Sequence, residues 1–240
     1  MNAEYLNEVH GCLEEFLWPE PDGKQRAKRQ RILQSATAHF VRFGYRKTSI
    51  DEVARAAGVA KGTVYLYYRN KAELVLHAIA LEKCPYISRL EPLLDTDVPA
   101  TERLQALIVL GLLTIQEMPL LSQLTSGDHE LALALNEVDG SVLERINSLR
   151  AEFVVNLLDE VTGQTWQRDL LLTRAQVMLD LVEAVAISGQ LAQREEHLET
   201  YAGMLAATLV HGITAPADPQ IFRLVWSTPP AGVAVEKAVV

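Results

Sequence analysis

A chain of 240 residues, 49% hydrophobic and 22% charged, is long enough for one large or two small domains and apolar enough to bury a sizeable core, which excludes fibrous and disordered classes. The formal net charge is −9, but it is unevenly placed: residues 24–71 hold twelve of the 22 basic residues and two of the 31 acidic ones, a local +10 that leaves −19 for the remainder. A uniformly acidic protein would bind nucleic acid poorly; a basic module joined to an acidic one need not.

In chain order, the acidic segment 1–23 carries Leu6, Val9, Leu13, Phe16 and Leu17 at helical spacing, a stripe expected to pack on the body, on a partner, or over the basic segment. It has no basic residue before Lys24 and no apolar run ending in small residues, so no secretory signal is expected and a cytoplasmic location is. Ile32, Ala36, Phe40 and Phe43 then mark one face of a helix expected to end in a left-handed cap at Gly44. A second helix follows, capped by Thr48 or Ser49, with Glu52 completing a capping box and Ile50, Val53, Ala54 and Ala57 on its buried face; it ends at Gly58. In the next segment, AKGTVYLYY, Val64 and Tyr68 face one side and Lys61, Thr63, Tyr65 and Tyr67 face others. Asn70 caps a further helix expected to stop before Pro85. Helical patterning continues at about 101–117, 120–137, 141–161, 167–190 and 195–213, with strand-like alternation only in IFRLVW near residue 221. The longest apolar run, between Gln105 and Gln116, is about half of the ~20 residues a membrane span needs and is expected in the core.

Two short helices joined by a glycine turn, the second rich in exposed polar and aromatic groups, form a helix-turn-helix whose second helix can enter the DNA major groove. The packing logic is specific. Ala54 must be small where the helices cross, Gly58 must take the turn conformation, and Val64 fills the wedge. Lys24, Arg26 and Lys28 crowd a helix N-terminus, where the macrodipole disfavours cations, so an anion such as phosphate is expected to compensate. Tyr45, Tyr65, Tyr67 and Tyr68 supply phenols that can reach a phosphate or a thymine methyl, although Tyr68 reads better as a core aromatic.

The stretch FGYRKTSIDEVARAAGVAKGTVYLYYRNKAEL, residues 43–74, closely resembles the DNA-binding domain of the tetracycline-repressor (TetR) family of bacterial regulators. With the domain it implies, residues 24–70, the resemblance covers about a fifth of the chain, and it rests on Thr48, Ala54, Gly58, Val59, Lys61, Gly62, Thr63, Tyr65, Tyr67 and Lys71. It implies an all-α homodimer: an N-terminal three-helix DNA-binding domain, here residues 24–70, and a helical ligand-binding and dimerisation domain, here 71–214, followed by a tail, 215–240. By position, Thr48, Thr63, Tyr65 and Lys71 would hold phosphates, Lys61, Gly62 and Tyr67 would approach base edges, and Ser49 would lie on the same surface. Tyr67→Ala is therefore expected to change sequence preference and Lys71→Ala to lower affinity on every sequence. Two positions depart from the pattern: Ala60 replaces a frequent serine, and Leu66 stands where a polar or aromatic residue is usual. Residues 167–213, with Ala184, Ala186, Gly203, Ala206 and Ala207, resemble the family's dimerising helix pair; intrachain packing would use the same small residues.

The remainder yields no catalytic pattern. The six histidines are never three or four apart, GxGxxG, GxxxxGK[ST] and GxSxG are absent, and Cys12 and Cys84 suit neither a disulfide framework nor a zinc site, so no metal and no cofactor is expected. Asp180 and Glu183 share a helix face but read better as a solvated stripe than as a carboxylate pair. A mostly apolar effector pocket among the middle helices would use Gln116, Met118, Phe153 and Gln176, and the acidic body disfavours strongly anionic effectors. The reading is a homodimeric repressor released from a palindromic operator by a small molecule. A helical enzyme or carrier with a merely solubilising basic end, or an architectural DNA-binding protein without a ligand, remain the alternatives.

Overall fold

The turns around the second short helix are fixed locally, and the rest of the chain is organised around them. In the computed structural model, which describes residues 3–19, 23–125, 129–187 and 197–215, the elements are all helical. They are α1 (Ala3–Leu17), α2 (Gly23–Lys47), α3 (Ile50–Ala57), α4 (Lys61–Tyr67), α5 (Lys71–Ser88), α6 (Ala100–Thr114), α7 (Pro119–Thr125), α8 (His129–Leu135), α9 (Ser141–Val161), α10 (Arg168–Ile187) and α11 (Leu198–Thr214), with two short 3-10 turns flanking α6. The strand-like segment near residue 221 lies outside the described residues.

Gly44 breaks the end of α2 at φ 78, ψ 168. The positive φ is the one expected, but the ψ is not that of a left-handed cap; it belongs to a region open essentially to glycine alone. Ser49 caps α3 with the full capping box, and Gly58 closes it in the left-handed conformation, φ 67, ψ 38. Asn70 caps α5 by accepting from the Glu73 N–H at 2.7 Å.

The helix from Asn70 does not stop before Pro85; α5 runs on to Ser88. A proline in a helix interior forfeits one hydrogen bond and costs about 3 kcal/mol. Continuing past it buries Ile87 and places Leu90 in the core, and each such side chain recovers about 1.5–3 kcal/mol. Tertiary burial therefore outweighs the local signal.

α5 lies against α1 and α2, α6 lies against α9, α10 and α11, and one continuous apolar core extends from Leu6 to Val210. Of the three expectations for the N-terminal stripe, packing on the body is the one observed. Leu6, Val9, Leu13 and Leu17 are buried. Tyr5 stacks on Phe153 of α9 at 4.7 Å, and Phe16 stacks on His77 of α5 at 4.0 Å. Glu8 pairs with Arg145 of α9 and Glu14 with Arg26 of α2, the latter at 2.5 Å.

His77 is enclosed between Phe16 and Tyr68, with Nδ1 donating to the Glu73 carbonyl at 2.8 Å. Burial pushes its pKa down; the backbone contacts to Glu73 and Phe16 restore part of the shift, while Arg29 adds to it. The fold thus holds the neutral ring. The stability it contributes is complete above the unfolded value of about 6.5 and is lost as pH falls below that value, because the unfolded chain takes up the proton first. The melting temperature is expected to fall between pH 7 and 5.5 more steeply for the native chain than for His77→Gln. Parallel profiles would show that His77 is not the group responsible.

Candidate nucleic-acid interface and effector cavity

The recognition surface begins with what holds it in place. Thr48 is buried, and its hydroxyl is committed to the carbonyls of Gly44 at 2.8 Å and His39 at 3.1 Å. The Lys71 ammonium lies 4.2 Å from the Tyr45 ring centroid and donates to the carbonyls of Tyr45 at 2.8 Å, Thr48 at 3.2 Å and Arg46 at 3.4 Å. Desolvation lowers its pKa. Both residues were expected to hold phosphates. They instead clasp the α2–α3 turn from inside, because each finds backbone acceptors left open where α2 ends. Ser49 is half-exposed at the start of α3, its hydroxyl donating to Glu52 at 2.7 Å.

Beyond that turn, Ala54, Ala57 and Val64 are buried at the α3–α4 crossing, as the spacing predicts. α4 starts at Ala60 without a side-chain cap. Val64 faces inward, and with 100° per residue the positions two before and two after it face directly outward. These are Gly62, where an added Cβ would meet nothing within 4 Å, and Leu66, which is 84% exposed. Tyr65 stands beside them at 46% exposure. Lys61 is exposed and paired with Asp51 of α3 at 2.7 Å. Thr63 is half-buried. Tyr67 is half-buried on the inner flank, under the Arg29 guanidinium at 5.2 Å, and not on the outward face where base-edge contact was expected. The periodicity within α4 alone would have placed Leu66 ahead of Tyr67.

The positive charge is also partly spent inside the protein. Arg29 is buried over Tyr67 and Tyr68, Arg26 is paired with Glu14, and Arg46 is paired with Glu130 at 3.3 Å. Lys28, Arg31, Lys47, Arg55 and Arg69 are exposed.

A cavity of about 230 Å³ lies between α5, α6, α7, α9 and α10. Ile79, Lys83 and Tyr86 come from α5, Leu107, Ile108 and Gly111 from α6, Asn147 and Arg150 from α9, and Met178, Val182 and Glu183 from α10. Gly111 permits the close approach of α6 to α10: a Cβ there would meet Val182 Cγ1 at 3.2 Å. Burial, reinforced by Arg150, pushes the Lys83 ammonium down to about 8, with Glu183 and Glu82 opposing.

None of the expected pocket residues whose side chains are described lines this cavity. Met118 is buried in the core, Phe153 is turned onto Tyr5, and Gln176 is exposed and donates to Asp180 at 2.6 Å. The Gln116 side chain lies outside the described residues. Glu183 faces the cavity while Asp180 faces outward, so the two carboxylates do not act together. The small-residue set also divides. Ala186 and Ala206 are buried within the chain, whereas Ala184, Gly203 and Ala207 are exposed, together with Val177, Leu181 and Met204. Among the described residues no group of three or more His, Cys, Asp or Glu could hold a metal ion, and no helix is long and apolar enough to cross a membrane.

A helix-turn-helix joined through one long helix to an all-helical body with an internal cavity is the architecture of a DNA-binding transcriptional regulator. Residues 32–78 match the family described as bacterial regulatory proteins, tetR family. The fatty acid metabolism regulator protein of Bacillus subtilis (strain 168) is 27% identical over 142 residues, 58% of this chain and 68% of that protein. An uncharacterized HTH-type transcriptional regulator of the same strain, YhgD, is 47% identical over 47 residues, which is 20% of this chain but only 25% of the relative. The crystal structure of the transcriptional regulator FadR from Bacillus subtilis, solved in complex with stearoyl-CoA, superposes with a TM-score of 0.55 at 18% identity, covering 79% of this chain and 99% of that one. Residues 32–78 thus carry the DNA-binding segment of the tetR family, and the Bacillus subtilis proteins that match are transcriptional regulators.

Proposed function

We propose that this regulator binds a palindromic double-stranded operator as a homodimer and, as a repressor in the cytoplasm, is released from it by a small molecule held in the cavity. The observation that carries the reading is α5. Its capped start adjoins the recognition helix, and Lys83 and Tyr86 near its far end line the cavity, so occupation of the cavity and placement of α4 bear on one helix. The stearoyl-CoA held by the Bacillus subtilis FadR structure supports an effector that carries an apolar part. The proposed division is a DNA-binding domain at 24–70 and an effector and dimerisation domain at 71–214.

In this reading Lys61, Gly62, Tyr65 and Leu66 face base edges, Ser49 and Thr63 lie beside the backbone, and Lys28, Lys47 and Arg55 meet phosphates. Dimerisation would use the outward face of α10 and α11, where Val177, Leu181 and the 68%-exposed Met204 leave apolar surface uncovered. Recognition helices in such a dimer read successive major grooves when they lie ~34–36 Å apart.

The test is binding to duplexes from the DNA upstream of the neighbouring genes, read by gel shift, with oligomeric state read by sedimentation. A palindrome with half-sites about one turn apart is expected to bind a dimer. Leu66→Ala is expected to change preference at one base pair by about 1–3 kcal/mol, whereas Tyr67→Ala should weaken specific and random DNA alike. Equal affinity for every duplex would remove the operator. A monomer unaffected by Leu181→Arg would remove the dimer.

A further inference from the structure

The polar groups of the cavity are not matched to one another. Lys83 of α5 and Arg150 of α9 bring two cations to a space that holds one carboxylate, Glu183 of α10, a local excess of one positive charge inside a body that is acidic as a whole. The Arg150 Nε–H is buried and has no hydrogen-bond acceptor among the described residues. Buried donors on charged groups are ordinarily satisfied, and Arg150 is one of the residues that line the cavity. Leu107, Ile108 and Met178 supply an apolar surface to the same space.

We propose that the cavity binds a small monocarboxylate, its carboxylate on Arg150 and Lys83 and its hydrocarbon body against Leu107, Ile108 and Met178. The proposal deepens the effector half of the function given above and rests on it for the regulatory consequence, not for the binding chemistry. A guanidinium presents a planar fork that matches a carboxylate, and the charge balance becomes neutral when one such group enters. Burial that depresses Lys83 to about 8 leaves it charged near pH 7, and an incoming carboxylate offsets that desolvation. Size selects further. A 150 Å³ cavity takes benzene, so a space of about 230 Å³ takes roughly nine non-hydrogen atoms. Heptanoate and benzoate have this size; an eighteen-carbon chain does not fit within the walls as they stand.

The experiment titrates the full chain with heptanoate, benzoate, heptanol and stearoyl-CoA by calorimetry. Heptanoate or benzoate is expected to bind at least about tenfold more tightly than heptanol, and Arg150→Met to erase that preference, since losing a charge-assisted hydrogen bond costs roughly 10- to 100-fold. Glu183→Gln is expected to tighten carboxylate binding about threefold or more by removing a like charge. Arg150→Lys, monitored by melting temperature, guards against an unfolded variant and should retain part of the preference. Equal binding of acid and alcohol, a preference unaltered in folded Arg150→Met, or binding of stearoyl-CoA alone overturns the proposal. Operator release is measured separately. Heptanoate that binds through Arg150 without releasing DNA would leave the cavity chemistry standing and overturn its role as effector.

Discussion

Raising monovalent salt from 50 to 200 mM is expected to weaken operator binding by about 10³- to 10⁵-fold, the range for a protein that touches six to ten phosphates. Lys28, Arg31, Lys47, Arg55 and Arg69 are exposed, and the proposed dimer would double the set, so even partial engagement would reach that number. Each phosphate neutralised contributes a slope of about −0.9 in the log–log plot. Lys47→Ala, which removes an exposed cation from the end of α2, is expected to flatten the slope by about that amount per copy bound. Lys71→Ala is expected to leave it nearly unchanged while lowering the melting temperature, because the ammonium is engaged by three carbonyls and the Tyr45 ring. Fluorescence anisotropy over the salt series separates the two. A slope flattened by Lys71→Ala and not by Lys47→Ala would return Lys71 to the phosphate contact that the family resemblance implies.

Phe153→Ala is expected to destabilise the fold by about 3–5 kcal/mol, the usual cost of emptying an aromatic core site. Phe153 is 1% exposed, and its ring lies 4.7 Å from that of Tyr5 at an interplanar angle of 21°. In a chain of this size each kcal/mol moves the melting temperature by roughly 2–4 °C, so a fall of about 6–20 °C should be read by calorimetry. The loss should also loosen α1, whose Tyr5 is the stacking partner. Faster proteolysis near residue 5 would report it. Phe153→Leu, which keeps most of the volume, is expected to cost much less. A shift of less than about 2 °C for Phe153→Ala would mean that α1 is not fixed at this point.

What the sequence made legible was local. The capping box at Ser49 and Glu52, the left-handed turn at Gly58, and the Asn70 cap each depend on residues within four positions of one another, so spacing alone determines them. Contacts whose partner is distant in the chain were not legible. Lys71 reads as a surface cation until the carbonyls of residues 45, 46 and 48 are folded against it. The cavity draws its walls from five helices separated by up to about a hundred positions, and no periodicity in any one of them reports the others. Phe153 and Met118 were plausible pocket residues because they are large and apolar, but that property equally suits the closed core in which they lie. Lys83, Arg150 and Glu183 were the better signal, since ionisable groups on otherwise apolar helix faces need a reason to be there.

Pro85 gives α5 an uneven stiffness. The residue sits between Lys83 and Tyr86, so the helix is missing a backbone bond at the very place where it forms part of the cavity wall. From Lys71 to Lys83 there is no such gap, and that stretch is a rod about 18 Å long. A tilt of some 5° about the proline would carry the Asn70 end, ~22 Å away, through roughly 2 Å, and with it the clasp of Lys71 on the α2–α3 turn. Under the proposed function, the point where the helix lacks a bond is also the fulcrum with the longest lever arm toward α4, and a ligand would need only to bend the helix there, without unpacking it, to change where α4 points.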